Sequence, residues 1–247
     1  MVADGDLTAA VALENTAALE LLRHGRITVE GQVVDASNAT LYVGIEGDGI
    51  RAAGAYKPVA GERPLWDFPD GTLAGREVAA YCVSAATGWD VIPPTVLRDG
   101  PFGPGMVQLW IETAPLDVRS LLRGGDRRLR RIAVLDSVIN NGDRKGGHLL
   151  PTADGRLYGI DHGVSFNVDD KLRTVIWNWA GEALAEEEVD VLSTVRTALD
   201  GALGERLAEH LTRAEVRRTR QRVVRLLRSG CLPMPSSQWP PVPWPAM

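Results

Sequence analysis

The chain has 247 residues, 45% of them hydrophobic, enough for one two-lobed domain or two small ones. A formal net charge of -5 without a basic arm argues against nucleic acid as a partner. Two cysteines far apart, Cys82 and Cys231, form no CxxC and no zinc spacing, and no signal peptide or apolar run of ~18 residues is seen, so a cytoplasmic chain with reduced thiols and no transmembrane segment is expected.

Residues 7–24 carry Leu13, Ala17 and Leu21 at helical spacing and meet Gly25, which predicts a helix. Short β-rich segments follow at 27–29 and 32–34, flanking Glu30-Gly31, and then at 40–45 and 50–57, separated by Asp-, Asn- and Gly-rich turns. Residues 58–70 read as loop, and 72–86 as a helix with Thr72 as its N-cap. Strands are predicted at 91–96 and 106–111, with 98–105 a turn by composition. Helices are expected at 127–140, 182–202 and 206–228. The last segment, 232–247, holds six prolines and two tryptophans and cannot be helical. Strands up to about Ile111 and helices afterwards predict an α+β chain with a protein-kinase-like, two-lobed order. Residues 1–111 form a β-rich lobe, 112–231 a helical lobe and 232–247 a tail.

The chemistry concentrates in Asn140-Asn141-Gly142-Asp143-Arg144-Lys145-Gly146-Gly147-His148 and, after the hairpin signal Asp154-Gly155, in Ile160-Asp161-His162-Gly163. A turn between them brings both carboxylates to one cleft. Phosphoryl transfer needs a carboxylate to position the attacking hydroxyl, a second to hold a metal on the phosphates, and a cation on the phosphate oxygens. Asp143 suits the first role and Asp161 the second. The glycines beside each allow a phosphate or metal close to the backbone. Upstream, Lys57 ends the third β-segment and Glu77 lies on the next helix, the arrangement that orients α- and β-phosphates. Glu77, Tyr81 and Cys82 share helical positions that turn one face toward the cleft.

These motifs resemble the catalytic and metal loops of the phosphatidylinositol 3- and 4-kinase superfamily, a pattern shared by HipA-type kinases. More narrowly, the chain is similar to short bacterial proteins related to that superfamily, over roughly residues 31–178. The resemblance implies ATP and Mg2+ as cofactors, with Lys57 the phosphate-binding lysine and Glu77 its partner. It also implies that Asp143, with Arg144, is catalytic and that Asp161 is a metal ligand. Residues 107–111 become the adenine hinge, with Gln108, Leu109 and Trp110 nearest the base. His148 stands where an Asn would be the second metal ligand, so either it does not bind metal or it shifts preference toward Mn2+. Lys145 follows Asp143-Arg144 in place of a His, His162 replaces the Phe of Asp-Phe-Gly, and residues 35–40 are the nearest substitute for a Gly-rich loop.

The expected partners are ATP and a hydroxyl-bearing acceptor: a protein, a small alcohol or an inositol-type lipid. A non-catalytic nucleotide-binding module and an AMP transferase remain alternatives. Arg119, Arg123, Arg127, Arg128, Arg130 and Arg131 read as a solvated helix face, with docking of an acidic substrate as the alternative. The tail reads as laid over the domain, because exposed tryptophans are costly, with a polyproline ligand as the alternative.

Overall fold

The structure, a computed structural model, describes residues 15–33, 38–115 and 117–247. The first helix, α1 (Asn15–His24), stops where the periodicity predicts, with the Gly25 N–H donating to the Leu21 carbonyl. Residues 7–14 of that expectation lie outside the described residues, as do Val34 and residues 35–37 of the loop proposed in place of a Gly-rich one.

Five strands form one sheet: β1 (Arg26–Gln32), β2 (Leu41–Gly47), β3 (Ile50–Pro58), β4 (Thr95–Gly100) and β5 (Gly103–Leu109). Their order is β1-β2-β3-β5-β4 and every pairing is antiparallel. Glu30-Gly31 does not divide two segments. It lies inside β1, where the register slips between Val29 and Gly31, and a bulge takes up the extra residue without ending the pairing. The strand expected at 91–96 begins only at Thr95, because Pro93 and Pro94 have no N–H to give a ladder. The 98–105 turn shrinks to Pro101-Phe102, closed by Gly103 at φ +90°, and Arg98 pairs with Gly105 within the strands.

Side-chain alternation divides the sheet into two faces. Val43, Ile45, Tyr56, Val96 and Val107 pack on Leu21 and Leu22 of α1. Lys57 comes off the other face, opposite Met106 of β5.

The next helix, α2 (Leu73–Thr87), is not capped by Thr72, whose hydroxyl donates to the Pro69 carbonyl. Glu62, from the preceding loop, accepts the Leu73 and Ala74 N–H groups at 3.1 and 2.8 Å. A carboxylate there satisfies orphan donors and complements the helix dipole. Tyr81 and Cys82, expected on a cleft-facing stripe with Glu77, are instead buried in the main core with Val78 and Val83. Arg76, with 1% of its surface exposed, ties α2 to the helical lobe through Glu215 (2.6 Å) and the Ser165 carbonyl (2.8 Å). So α2 follows the sheet in sequence but shares its core with the helices beyond.

Those helices are α3 (Val118–Arg123), α4 (Arg127–Ile139), α5 (Glu186–Leu199), α6 (Ala202–Ala208) and α7 (Arg213–Ser229), with a hairpin of β6 (Leu149–Pro151) and β7 (Leu157–Gly159) after α4. Where one helix was expected over 206–228, the chain breaks before Thr212, whose side chain and that of Glu215 cap each other's backbone. Thr-x-x-Glu is the capping-box signature, legible in sequence and passed over. The tail lies over the domain as expected: the Gly146 N–H donates to Ala246, and the Thr174 N–H and Trp177 indole N–H both donate to Pro241. Among the described residues, no helix is long and apolar enough to cross a membrane. The whole is an α+β, two-lobed, kinase-like fold.

Candidate active site

The loop that carries Asp143 is fixed from below by α4. Asp136, wholly buried, receives a fork from Arg144 (3.0 and 2.9 Å) and a bond from the Asn141 amide (3.0 Å). Bidentate charge-assisted pairs of this kind set geometry as well as energy. Asn141 in turn accepts the Asp143 N–H at 2.9 Å, which aims the Asp143 side chain. Arg144 also donates to the Ile160 carbonyl at 2.7 Å, joining the loop to the segment that carries Asp161. Read from sequence as catalytic beside Asp143, Arg144 has no exposed surface and all its groups are engaged internally. Its guanidinium is spent on Asp136, the Ile160 carbonyl and the His162 ring.

Asp161 sits in the left-handed region at φ +61°, a conformation that Asp tolerates better than most residues but that still costs energy. Its Oδ1 receives Lys57 Nζ at 2.9 Å, and the same ammonium reaches Glu77 Oε1 at 2.8 Å. One cation from β3 thus bridges a carboxylate on α2 and another on the loop after β7. The Lys57 charge holds Asp161 well below the usual carboxylate range. Burial pushes Glu77 up, but the Lys57 ammonium and the His162 contact prevail and bring it down to about 2. Burial likewise works against the Lys57 ammonium, and the two carboxylates more than offset it, raising the lysine above its ordinary value.

His162 occupies a fully buried position behind this triad. Its backbone N–H donates to Glu77 Oε2 at 2.7 Å. Its Nε2 lies 2.6 Å from an Arg144 N–H and so accepts, which puts the ring proton on Nδ1, 3.7 Å from Glu77 Oε2. Burial and the Arg144 charge keep this ring neutral. His148 is also neutral, pushed down to about 4 by burial against the pull of Asp161. Its Nδ1 faces the Lys145 N–H at 3.5 Å and its Nε2 lies 3.2 Å from Asp161 Oδ2. The ring thus stands beside the carboxylate that would hold a metal.

Asp143, Asp161, Lys57, Glu77 and Glu62 line one narrow pocket. Burial raises the Asp143 carboxyl, with Lys145 at 2.9 Å opposing the rise. Gly142 and Gly163 do not open a path for phosphate: a Cβ at Gly142 would press on Val164 at 3.2 Å, and one at Gly163 on Leu73 at 3.3 Å. Both permit close approach of neighbouring protein segments. Among the described residues, no three His, Cys, Asp or Glu side chains converge as a ready-made cation cage. One or two carboxylates with nucleotide phosphates are what Mg2+ ordinarily takes, so Asp161, lining this pocket, fits a phosphate-borne Mg2+.

The segment expected to meet adenine is largely engaged within the protein. The Gln108 amide donates to Thr95 Oγ1 at 2.9 Å, and the N–H groups of Leu109 and Trp110 are taken by the Pro94 and Ala53 carbonyls. The Trp110 ring stands edge-on to Tyr42, centroids 4.9 Å apart. The arginine run is paired rather than bare where it meets α5: Arg130 with Glu182 and Glu188, and Arg131 with Glu187.

Sequence reading passed over Glu62, Arg76 and Asp136. A charged residue in a helix or loop looks solvated until its burial is known, and only the Asp136-to-Arg144 spacing hinted otherwise.

No family model matches the chain. Protein Rv2133c of Mycobacterium tuberculosis is 42% identical over 263 aligned positions, spanning 92% of this chain and 94% of that protein. Among solved structures, hydra Fam20, determined with sugar, superposes with a TM-score of 0.56 at 14% identity over 90% of each chain. The proinflammatory kinase CtkA of Helicobacter pylori overlaps at a TM-score of 0.47 and 9% identity, over 85% of this chain and 94% of that one, too loosely to bear weight.

Proposed function

This chain belongs to the family of Mycobacterium tuberculosis protein Rv2133c, and on that premise we propose that it is an ATP- and divalent-metal-dependent phosphotransferase acting on a hydroxyl acceptor. The carrying observation is the Lys57 ammonium bridging Glu77 and Asp161, in the same pocket as Asp143. A cation held between two carboxylates at the joint of two lobes suits the orientation of nucleotide phosphates. Asp161 would hold Mg2+, which supplies charge neutralisation on the phosphate oxygens. Asp143, its carboxyl raised by burial, orients the acceptor hydroxyl and takes its proton. Lys145 stands beside it as a cation for the transferring group. Arg144, Asn141 and Asp136 keep Asp143 in place, and Lys57 holds Asp161.

The likeness to phosphatidylinositol 3- and 4-kinases belongs to this proposal, as do the lobe boundary at Ile111 and the tail from Leu232. With the N–H groups of Leu109 and Trp110 engaged, adenine falls to the segment leaving β5.

A second reading, a nucleotide-binding module without turnover, is favoured by one observation: an imidazole, His148, rather than an oxygen ligand stands 3.2 Å from Asp161 Oδ2 where a second metal ligand is expected. Thermal shift with ATP and Mg2+, read beside γ-phosphate release, separates the two. Asp161→Asn is expected to abolish the metal-dependent ATP shift. Asp143→Asn is expected to keep the shift and lose turnover by about 10²–10⁴-fold. Turnover in Asp143→Asn equal to wild type would sink the mechanism, and an ATP shift with no phosphate release in wild type would select the second reading.

A further inference from the structure

The phosphate pocket meets a second, wider cleft at Asp143 and Val164. It has a volume of about 490 Å³, within the range of about 300–1,000 Å³ typical of small-molecule sites. Its walls are the loop before α2, the segment after Asp143, the irregular run after Asp169 and the C-terminal tail, which contribute Trp66, Trp239, Trp244, Lys145, Lys171 and Arg173. Trp66 and Trp244 are 84% and 89% exposed. Exposed indoles of that area are costly, and two lining the cleft that Asp143 also lines mark a binding surface.

The three cations differ. Lys145 is paired with Asp143 at 2.9 Å. Lys171 is paired with Asp67 at 2.9 Å and clamped between the Trp66 and Trp239 rings, 4.5 Å from each centroid, so it pins the tail to the loop. Arg173 is held only by the Pro240 and Val242 carbonyls, at 3.2 and 3.4 Å, and among the described residues no carboxylate pairs with it. Its charge reaches the Asp143 carboxyl and works against the rise that burial causes. An uncompensated guanidinium in a small cleft calls for a phosphate or carboxylate. Indole faces pack against the C–H face of a saturated ring, whose hydroxyl edge stays free to reach Asp143.

We infer that this cleft is the acceptor site and that it takes a small cyclic polyol bearing an anionic group, a sugar phosphate or sugar acid. The inference rests on the phosphotransfer reading above. A ring hydroxyl oxygen forms the new bond to the γ-phosphorus of ATP while the bond from that phosphorus to the β,γ-bridging oxygen breaks. ADP leaves with that electron pair, and the hydroxyl proton passes to Asp143 and then to solvent.

Binding is measured on the full chain without nucleotide, by quenching of tryptophan fluorescence with glucose 6-phosphate, glucuronate, glucose and inorganic phosphate. One or both anionic sugars are expected to saturate the signal at least tenfold more tightly than glucose or inorganic phosphate. Arg173→Met is expected to cut that preference about tenfold, and Trp66→Ala and Trp244→Ala to weaken every sugar. Absence of saturable quenching by either anionic sugar would overturn the inference. So would inorganic phosphate binding as tightly as they do, or an Arg173→Met protein that retains the full preference. A thermal shift with ATP and Mg2+ on the same protein keeps the two claims apart. Its loss would sink the phosphotransfer reading alone, and its presence without sugar binding would sink the acceptor assignment alone.

Discussion

Two ion-pair clusters support the pocket, and they differ in what they join. Asp136 and Arg144 lie wholly inside the helical lobe, with no exposed surface on either side chain, and join one loop to the helix beneath it. Lys57, Glu77 and Asp161 join the lobes, and Asp161 remains about a third exposed. Because α2 shares the main core and is tied down through Arg76 and Glu215, Glu77 belongs mechanically to the helical lobe. Lys57 alone comes from the sheet. The inner cluster therefore holds the Asp143 loop to α4, whereas the outer one links the sheet to the helical lobe at the pocket. Removing one partner of a buried pair is costly because the other charge stays behind without compensation.

The largest expected effect is at the inner cluster. Arg144→Met leaves Asp136 buried and unpaired and is expected to cost about 3–5 kcal/mol, read as a Tm lower by roughly 6–20 °C. If Arg144→Met melts with wild type, the loop is not held from α4. Lys57→Met comes next, at about 3 kcal/mol, since Glu77 is buried but Asp161 can hydrate. It is also expected to lose the ATP-induced shift, and retention of that shift would separate the triad from nucleotide binding.

Acid sharpens the same contrast. Glu77 is lowered from 4.5 to about 2 in the folded protein, so its contribution is present above pH 4.5 and is lost as pH falls toward 2. In Lys57→Met, burial without the ammonium raises Glu77 instead, and that share of the acid slope reverses. Melting curves between pH 5 and 3 for the two proteins read this directly, and parallel slopes would refute the assignment. The smallest effect is at the start of α2, where Glu62→Ala removes the carboxylate cap and is expected to cost about 1 kcal/mol by chemical denaturation.

Local chemistry made much of this protein legible. Turn residues, the 2- and 3.6-residue periods and the Asp143-to-Asp161 spacing pointed to strands before helices and to two carboxylates in one cleft. These signals are short-range, so they survive without knowledge of the fold. What they missed were features whose meaning depends on burial. Val29 to Gly31 looked like a strand break and became a bulge because a partner strand continued past it. Tyr81 and Cys82 looked like companions of Glu77 and turned into the core, since only packing decides how wide a helix's buried face is.

The sequence by itself singled out Lys57, Glu77, Asp143 and Asp161 by residue type and spacing, and all four line one pocket. Tertiary structure alone decided which groups support them. Arg144 became a buried fastener, His148 a close neighbour of Asp161, Glu62 a helix cap and the tail a wall of the cleft. The physical reason is that a charge or an indole has no fixed role in water. Its role is set by what replaces the water around it, and that replacement comes from residues distant in the chain.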